Sequence, residues 1–94
     1  MDNKKKIVVV EDDTALLPMI THNLEKNGFS VREATNGEDA LMLIKEELPA
    51  LAIIDWMIPA PNGIEVCKIL RRGKETVSLP IIILSAKGEE EDKV

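Results

Sequence analysis

Two stretches of the chain, Ile7-Val8-Val9-Val10 and Leu51-Ala52-Ile53-Ile54, are apolar at every position, and each is followed directly by acid. A run without alternation reads as a strand covered on both faces, as in a parallel sheet. Leu79-Pro80-Ile81-Ile82-Ile83-Leu84 reads the same way, with Pro80 tolerable because it stands at the strand's start. Phe29-Ser30-Val31-Arg32 differs, because it alternates apolar with polar. That pattern predicts a strand over 29–34 with one wet face, hence at a sheet edge.

Between the strands the spacing turns helical. A helix over 15–27 puts Leu16, Met19, Ile20 and Leu24 on one face, with Asp13 or Thr14 capping its start and Asn27-Gly28 supplying a left-handed stop. If that helix begins near Thr14, Pro18 lies just beyond the first turn, where its ring presses on the carbonyl four residues back and bends or delays the helix. A second helix over 38–48 is capped by Asn36, turns Leu41, Ile44 and Leu48 inward and stops before Pro49. Pro59-Ala60-Pro61-Asn62-Gly63 is a loop by composition. A third helix over 64–72 buries Val66, Ile69 and Leu70, and the basic run Arg71-Arg72-Gly73-Lys74 complements the negative end of its dipole. Gly88-Glu89-Glu90-Glu91-Asp92 opens a fourth helix, with acids crowding its first turn. Strands and helices alternating through short connections imply a parallel sheet with helices on both faces, joined by right-handed crossovers.

Composition narrows the function. A chain of 94 residues has room for one domain with an adequate core. A net charge of -5 argues against direct nucleic-acid contact. The single cysteine, Cys67, forms no internal disulfide and reads as a small core hydrophobe. His22 has no second ligand at helical spacing and reads as a solvated side chain. No stretch is long or apolar enough for a signal peptide or a membrane span, so a soluble cytoplasmic domain is expected.

Parallel strands bring all their C-terminal ends to one rim, where open α/β sheets bind ligands. That rim collects Glu11, Asp12, Asp55 and Ser85. Two like charges about 5 Å apart repel by roughly 3 kcal/mol at an effective dielectric near 20, so the cluster calls for a counter-charge. Carboxylate and carbonyl oxygens suit a hard ion such as Mg2+, and the absence of His or Cys at zinc-like spacing disfavours zinc.

Three motifs in this order resemble the receiver domains of bacterial two-component response regulators. They are Val10-Glu11-Asp12; Asp55-Trp56-Met57-Ile58-Pro59 with Gly63 eight residues after the aspartate; and Ile83-Leu84-Ser85-Ala86-Lys87. The wording around Asp55 and after Ser85 is most similar to the phosphate-regulon type, whose receivers precede a winged-helix DNA-binding domain. The resemblance implies that Asp55 accepts a phosphoryl group from a sensor histidine kinase. It implies that Asp12, Asp55 and the Met57 backbone carbonyl hold Mg2+, with Glu11 acting through metal-bound water. Ser85 would hydrogen-bond a phosphoryl oxygen and draw the following loop inward, and Ala86 leaves space for that movement.

The resemblance also sets an expected architecture: a flavodoxin-like doubly wound sheet of strand order 2-1-3-4, a receiver over 1–94 truncated within its fourth helix. The family's fifth strand, with its phosphoryl-pairing lysine, and fifth helix would be missing, and Lys87 does not occupy that lysine's position. An open fourth strand would then invite a homodimer or a strand-exchanged oligomer. Two other function classes are weighed against the phosphoacceptor. One is an aspartyl-phosphate phosphohydrolase, whose motif carries a second aspartate where this chain has Met57. The other is a phosphorylation-independent interaction module or folding fragment.

Overall fold

Parallel pairing dictates the architecture seen in a computed structural model, which describes residues 4–84. Strands β1 (Lys6–Val10), β2 (Ser30–Ala34), β3 (Leu51–Asp55) and β4 (Ile81–Leu84) form one parallel sheet in the order β2-β1-β3-β4. Helices α1 (Leu16–Lys26), α2 (Gly37–Glu47) and α3 (Gly63–Arg72) make the crossovers. This is the expected flavodoxin-like order, and β2 lies at an edge as its alternation predicts. The anticipated fourth helix and Ser85 lie outside the described residues.

Side chains alternate across a strand, so each apolar run feeds two cores. Val8, Val10, Ala52 and Ile54 point to the face covered by α2 and α3, where they pack with Ala40, Ile44, Val66 and Leu70. Ile7, Val9 and Val31 point to the other face and pack with Leu17 of α1. On that second face Leu51 and Ile53 are only half-buried, and Ile82, the register partner of Ile53, is exposed.

The helix starts and stops are largely as predicted. The Asn36 side chain accepts the Asp39 N–H at the start of α2, and Gly28, at φ +93°, turns the chain after α1. The Asp13 carboxylate accepts the Ala15 and Leu16 N–H groups at 2.9 and 3.1 Å and so holds the turn ahead of α1, whose N-cap position is Ala15, with no side-chain hydrogen bond of its own. The helix starts at Leu16, and Pro18 falls in the first turn, where an N–H has no intrahelical partner to lose.

Three inward-face expectations are corrected. In α1 the buried stripe is Leu17, Ile20 and Leu24, while Leu16 and Met19 face outward. Leu17 takes the place of Leu16 and Met19, which turns the stripe while Ile20 and Leu24 stay on it. In α2, Ala40 and Ile44 are the buried pair; Leu48 is the left-handed C-cap, at φ 44°, and is exposed. In α3, Val66 and Leu70 one turn apart fill the core, and Ile69 is exposed.

Arg71 does more than complement a helix end. Its guanidinium donates to the carbonyls of Val77 and Leu79 at 3.0 and 2.7 Å and so fastens the segment leading into β4. The buried Thr76 hydroxyl donates to the Leu70 carbonyl at 2.6 Å, which also accepts the Gly73 N–H at 3.1 Å, so this acceptor at the end of α3 is held twice.

The rotated stripe of α1 is directly testable. Leu17→Ala is expected to lower unfolding free energy by about 2–4 kcal/mol through cavity formation. Met19→Ala should change it by less than about 0.5 kcal/mol. Urea unfolding of the two variants measures both values.

Candidate functional site: an acidic rim

Register explains why the acids meet. Val10 pairs with Ile54, so Glu11 and Asp55 follow as neighbours at the C-terminal ends of two adjacent strands. Glu11 remains tied to the sheet through its N–H, which donates to the Ala34 carbonyl at 3.0 Å. Asp55 is the last residue of β3 and pairs with Leu84, the last described residue of β4. Asp12 lies one step beyond Glu11, in the turn that leads to α1.

Carboxylate oxygens of Glu11, Asp12 and Asp55 lie within 4.8 Å of one another. The three are not equivalent: Glu11 and Asp55 are buried, each 4% exposed, whereas Asp12 is exposed. Two backbone N–H groups orient the buried pair. Asp13 donates to Glu11 Oε2 at 3.1 Å, and Met57 donates to Asp55 Oδ1 at 3.3 Å. Met57 itself is exposed, as is Trp56, both immediately after the aspartate.

Burial pushes the Glu11 carboxyl up from its ordinary value of 4.5 to about 7. Desolvation is the largest cause; a hydrogen bond to Asp55 and repulsion from Asp55 and Asp12 add to it, and the Asp13 N–H opposes it. Three carboxylates crowded in this way favour a positive counter-charge. The donor set is oxygen only, and its spread is close to the roughly 4 Å that spans an octahedral Mg2+ shell. The group fits a hard divalent ion on these grounds.

The loop after Asp55 is held from several sides. Asn62 and Glu65 form a reciprocal capping box at the start of α3, with both hydrogen bonds at 2.9 Å. The Gly63 N–H donates to the Trp56 carbonyl at 3.0 Å, and a Cβ there would meet the Asp55 carbonyl oxygen at 2.7 Å. Gly37, at the start of α2, donates its N–H to the Pro59 carbonyl at 3.1 Å. Sequence reading took Asn36-Gly37 as a turn into the second helix, with Asn36 as its cap, and did not place Gly37 beside this loop. The two segments are distant in the chain, and the contact is made by backbone.

A four-stranded parallel sheet of this order, with carboxylates gathered at its C-terminal rim, places the chain among flavodoxin-like α/β proteins. It matches the response regulator receiver domain family over residues 7–94 and belongs to that family. It is 48% identical over 89 residues to the phosphate regulon transcriptional regulatory protein PhoB of Rhizobium meliloti, covering 95% of this chain and 39% of that protein. It is 46% identical over 90 residues to the alkaline phosphatase synthesis transcriptional regulatory protein PhoP of Bacillus subtilis, covering 96% of this chain and 37% of that one. The chain thus spans well under half the length of these relatives. Among solved structures it resembles the receiver domain of a Francisella response regulator, with a TM-score of 0.83 and 36% identity over 92% of this chain and 69% of that one. The Vibrio cholerae chemotaxis response regulator CheY4 superposes with a TM-score of 0.87 at 25% identity, over 93% of this chain and 72% of that one.

The raised Glu11 pKa gives a signed expectation. In the cation-free protein a protonated Glu11 favours the fold, fully so below about 4.5, and the contribution is lost as pH rises through about 7. Thermal midpoints measured in EDTA across that window should fall with pH on this account, and Glu11→Gln should flatten the slope.

Proposed function

We propose that the chain is a Mg2+-dependent phosphoacceptor, with Asp55 receiving a phosphoryl group from the phosphohistidine of a sensor histidine kinase. The observation that carries this reading is the convergence of Glu11, Asp12 and Asp55 at one rim, with oxygens within 4.8 Å. Asp12, Asp55 and the Met57 backbone carbonyl would hold the ion, and Glu11 would act through bound water. When bound, the cation offsets the repulsion between a carboxylate and an incoming phosphate in a transfer step that is largely electrostatic.

The chain's own part in the transfer is positional. An Asp55 carboxylate oxygen attacks phosphorus, the P–N bond to the imidazole breaks, and the leaving nitrogen keeps the electron pair and takes a proton. The Met57 N–H fixes the orientation of the nucleophile before attack. Ser85, outside the described residues, is assigned a hydrogen bond to the new phosphoryl group, through which the segment after β4 responds. The output is a DNA-binding domain, as the transcriptional regulatory relatives suggest, and this chain, at a net charge of -5, makes no direct nucleic-acid contact.

Among the described residues no helix is long and apolar enough to cross a membrane, and we assign the chain to the cytoplasm. It acts on no substrate other than itself, at most promoting its own phosphorylation and dephosphorylation. Within the described residues β4 pairs only with β3, and Ile82 is 48% exposed. The isolated 94-residue chain is therefore assigned a tendency to homodimerise or exchange strands through β4, which light scattering across concentrations reads directly.

Incubation with acetyl phosphate and Mg2+ should leave a single slowly lost phosphoryl group on the chain by mass spectrometry. Asp55→Asn should abolish it, and Asp12→Asn should slow its formation by about a hundredfold, the several kcal/mol that a metal contributes. Rapid multiple turnover would indicate a phosphohydrolase. No Mg2+ binding, together with Trp56 fluorescence unmoved by beryllofluoride, would indicate an interaction module or folding fragment.

A further inference from the structure

We propose that Gly37 is a positioning residue for the acidic site, acting through the loop that follows Asp55. The inference rests on the proposed function and deepens it. Gly37 is buried at the first turn of α2, against the backbone of the β3–α3 loop. A Cβ built there would lie 1.8 Å from the Pro61 carbonyl oxygen, 2.8 Å from the Pro61 carbonyl carbon and 3.0 Å from Pro61 Cδ. The first two contacts are to backbone and cannot be relieved by a side-chain rotation. Meanwhile the Gly37 N–H donates to the Pro59 carbonyl, so the same residue both allows the approach and secures it.

Helix α2 has little freedom to retreat from that contact. Asn36 caps its start, and Ala40 and Ile44 are fully buried in the core. Any side chain at position 37 therefore displaces the loop. The loop is short and rigidly closed at its far end, where Gly63 packs on Asp55 and Trp56 and the capping box holds Asn62. Displacement then passes to Trp56 and Met57, and the Met57 N–H is the group that orients the Asp55 carboxylate. Position 37 thus controls the nucleophile and the proposed carbonyl ligand without touching either.

Gly28 provides the comparison. A Cβ there meets nothing within 4 Å, but φ of +93° disfavours any side chain, so Gly28→Ala strains the fold far from the site. The experiment compares wild type, Gly37→Ala and Gly28→Ala by Mg2+ titration followed through Trp56 fluorescence. It adds thermal midpoints and amide exchange of Met57, both measured without cation. Gly37→Ala is expected to weaken Mg2+ binding by about tenfold, as losses of groups that orient metal ligands do, and to speed Met57 exchange. Gly28→Ala should lower the midpoint while leaving Mg2+ affinity and Met57 exchange unchanged.

Wild-type affinity and wild-type Met57 exchange in Gly37→Ala overturn the proposal. So does an equal loss of affinity in Gly28→Ala, because the effect would then follow stability. A wild-type chain that binds no Mg2+ overturns the proposed function, and with it the role given to Gly37. If Gly37→Ala does not fold, Pro61→Gly tests the same seam from the loop side. Weaker Mg2+ binding at an unchanged midpoint supports the proposal, and unchanged binding overturns it.

Discussion

In-register parallel pairing forces Glu11 and Asp55 together, and the rest of the structure is arranged around that unfavourable contact. Side by side at about 5 Å, two such charges would repel by roughly 3 kcal/mol. The sheet does not relax to separate them, because the residues just below are among the best packed in the molecule: Val10 and Ile54 are fully buried and paired with each other. Burial first, and the neighbouring carboxylates after it, push the Glu11 carboxyl up to about 7. The rim therefore stores a preference for positive charge before any ligand arrives.

The two ends of the sheet divide the work. At the N-terminal end, Lys6 at the start of β1 reaches Glu47 at the close of α2 at 2.7 Å, and Arg71 grips the carbonyls ahead of β4. These are braces, and the partly exposed ion pair among them contributes about 1 kcal/mol or less. At the C-terminal end the acids are buried or crowded, and the connecting loops are held by backbone hydrogen bonds and caps rather than by opposite charge. Stabilising pairs and reactive groups occupy opposite poles, so the charge at the rim can change without undoing the braces.

Much of this was legible in the sequence where a single local signal governed the outcome. Residues 51–55 read unambiguously because four apolar positions in a row show neither a helical stripe nor a wet face, and the carboxylate marks the end. Asn36 and Asn62 are short polar side chains just ahead of helices, and both cap. The phase of α1 was not legible, since Leu16, Leu17, Met19 and Ile20 supply two overlapping stripes. Which stripe is buried is settled by packing on Ile7, Val9 and Val31. Gly37 beside Pro59 and Pro61 was invisible for a related reason. A contact of backbone on backbone between distant segments leaves no periodicity, only a glycine that a turn would equally explain.

The asymmetry among the three acids bears on how such a site could switch. Asp12 is exposed and free to adjust, whereas Glu11 and Asp55 are buried and each oriented by a backbone N–H. Under the proposed function, phosphorylation adds roughly two negative charges at the least adjustable position in the cluster. The loop from Trp56 to Gly63 cannot move toward the new group without breaking the Gly63 contact or the capping box, and the β1–α1 turn is held by Asp13. The proposed function therefore assigns the response to the remaining side of the rim, where β4 pairs Leu84 with Asp55. Rigidity on the other sides channels a local change of charge in one direction, which a uniformly soft pocket would dissipate.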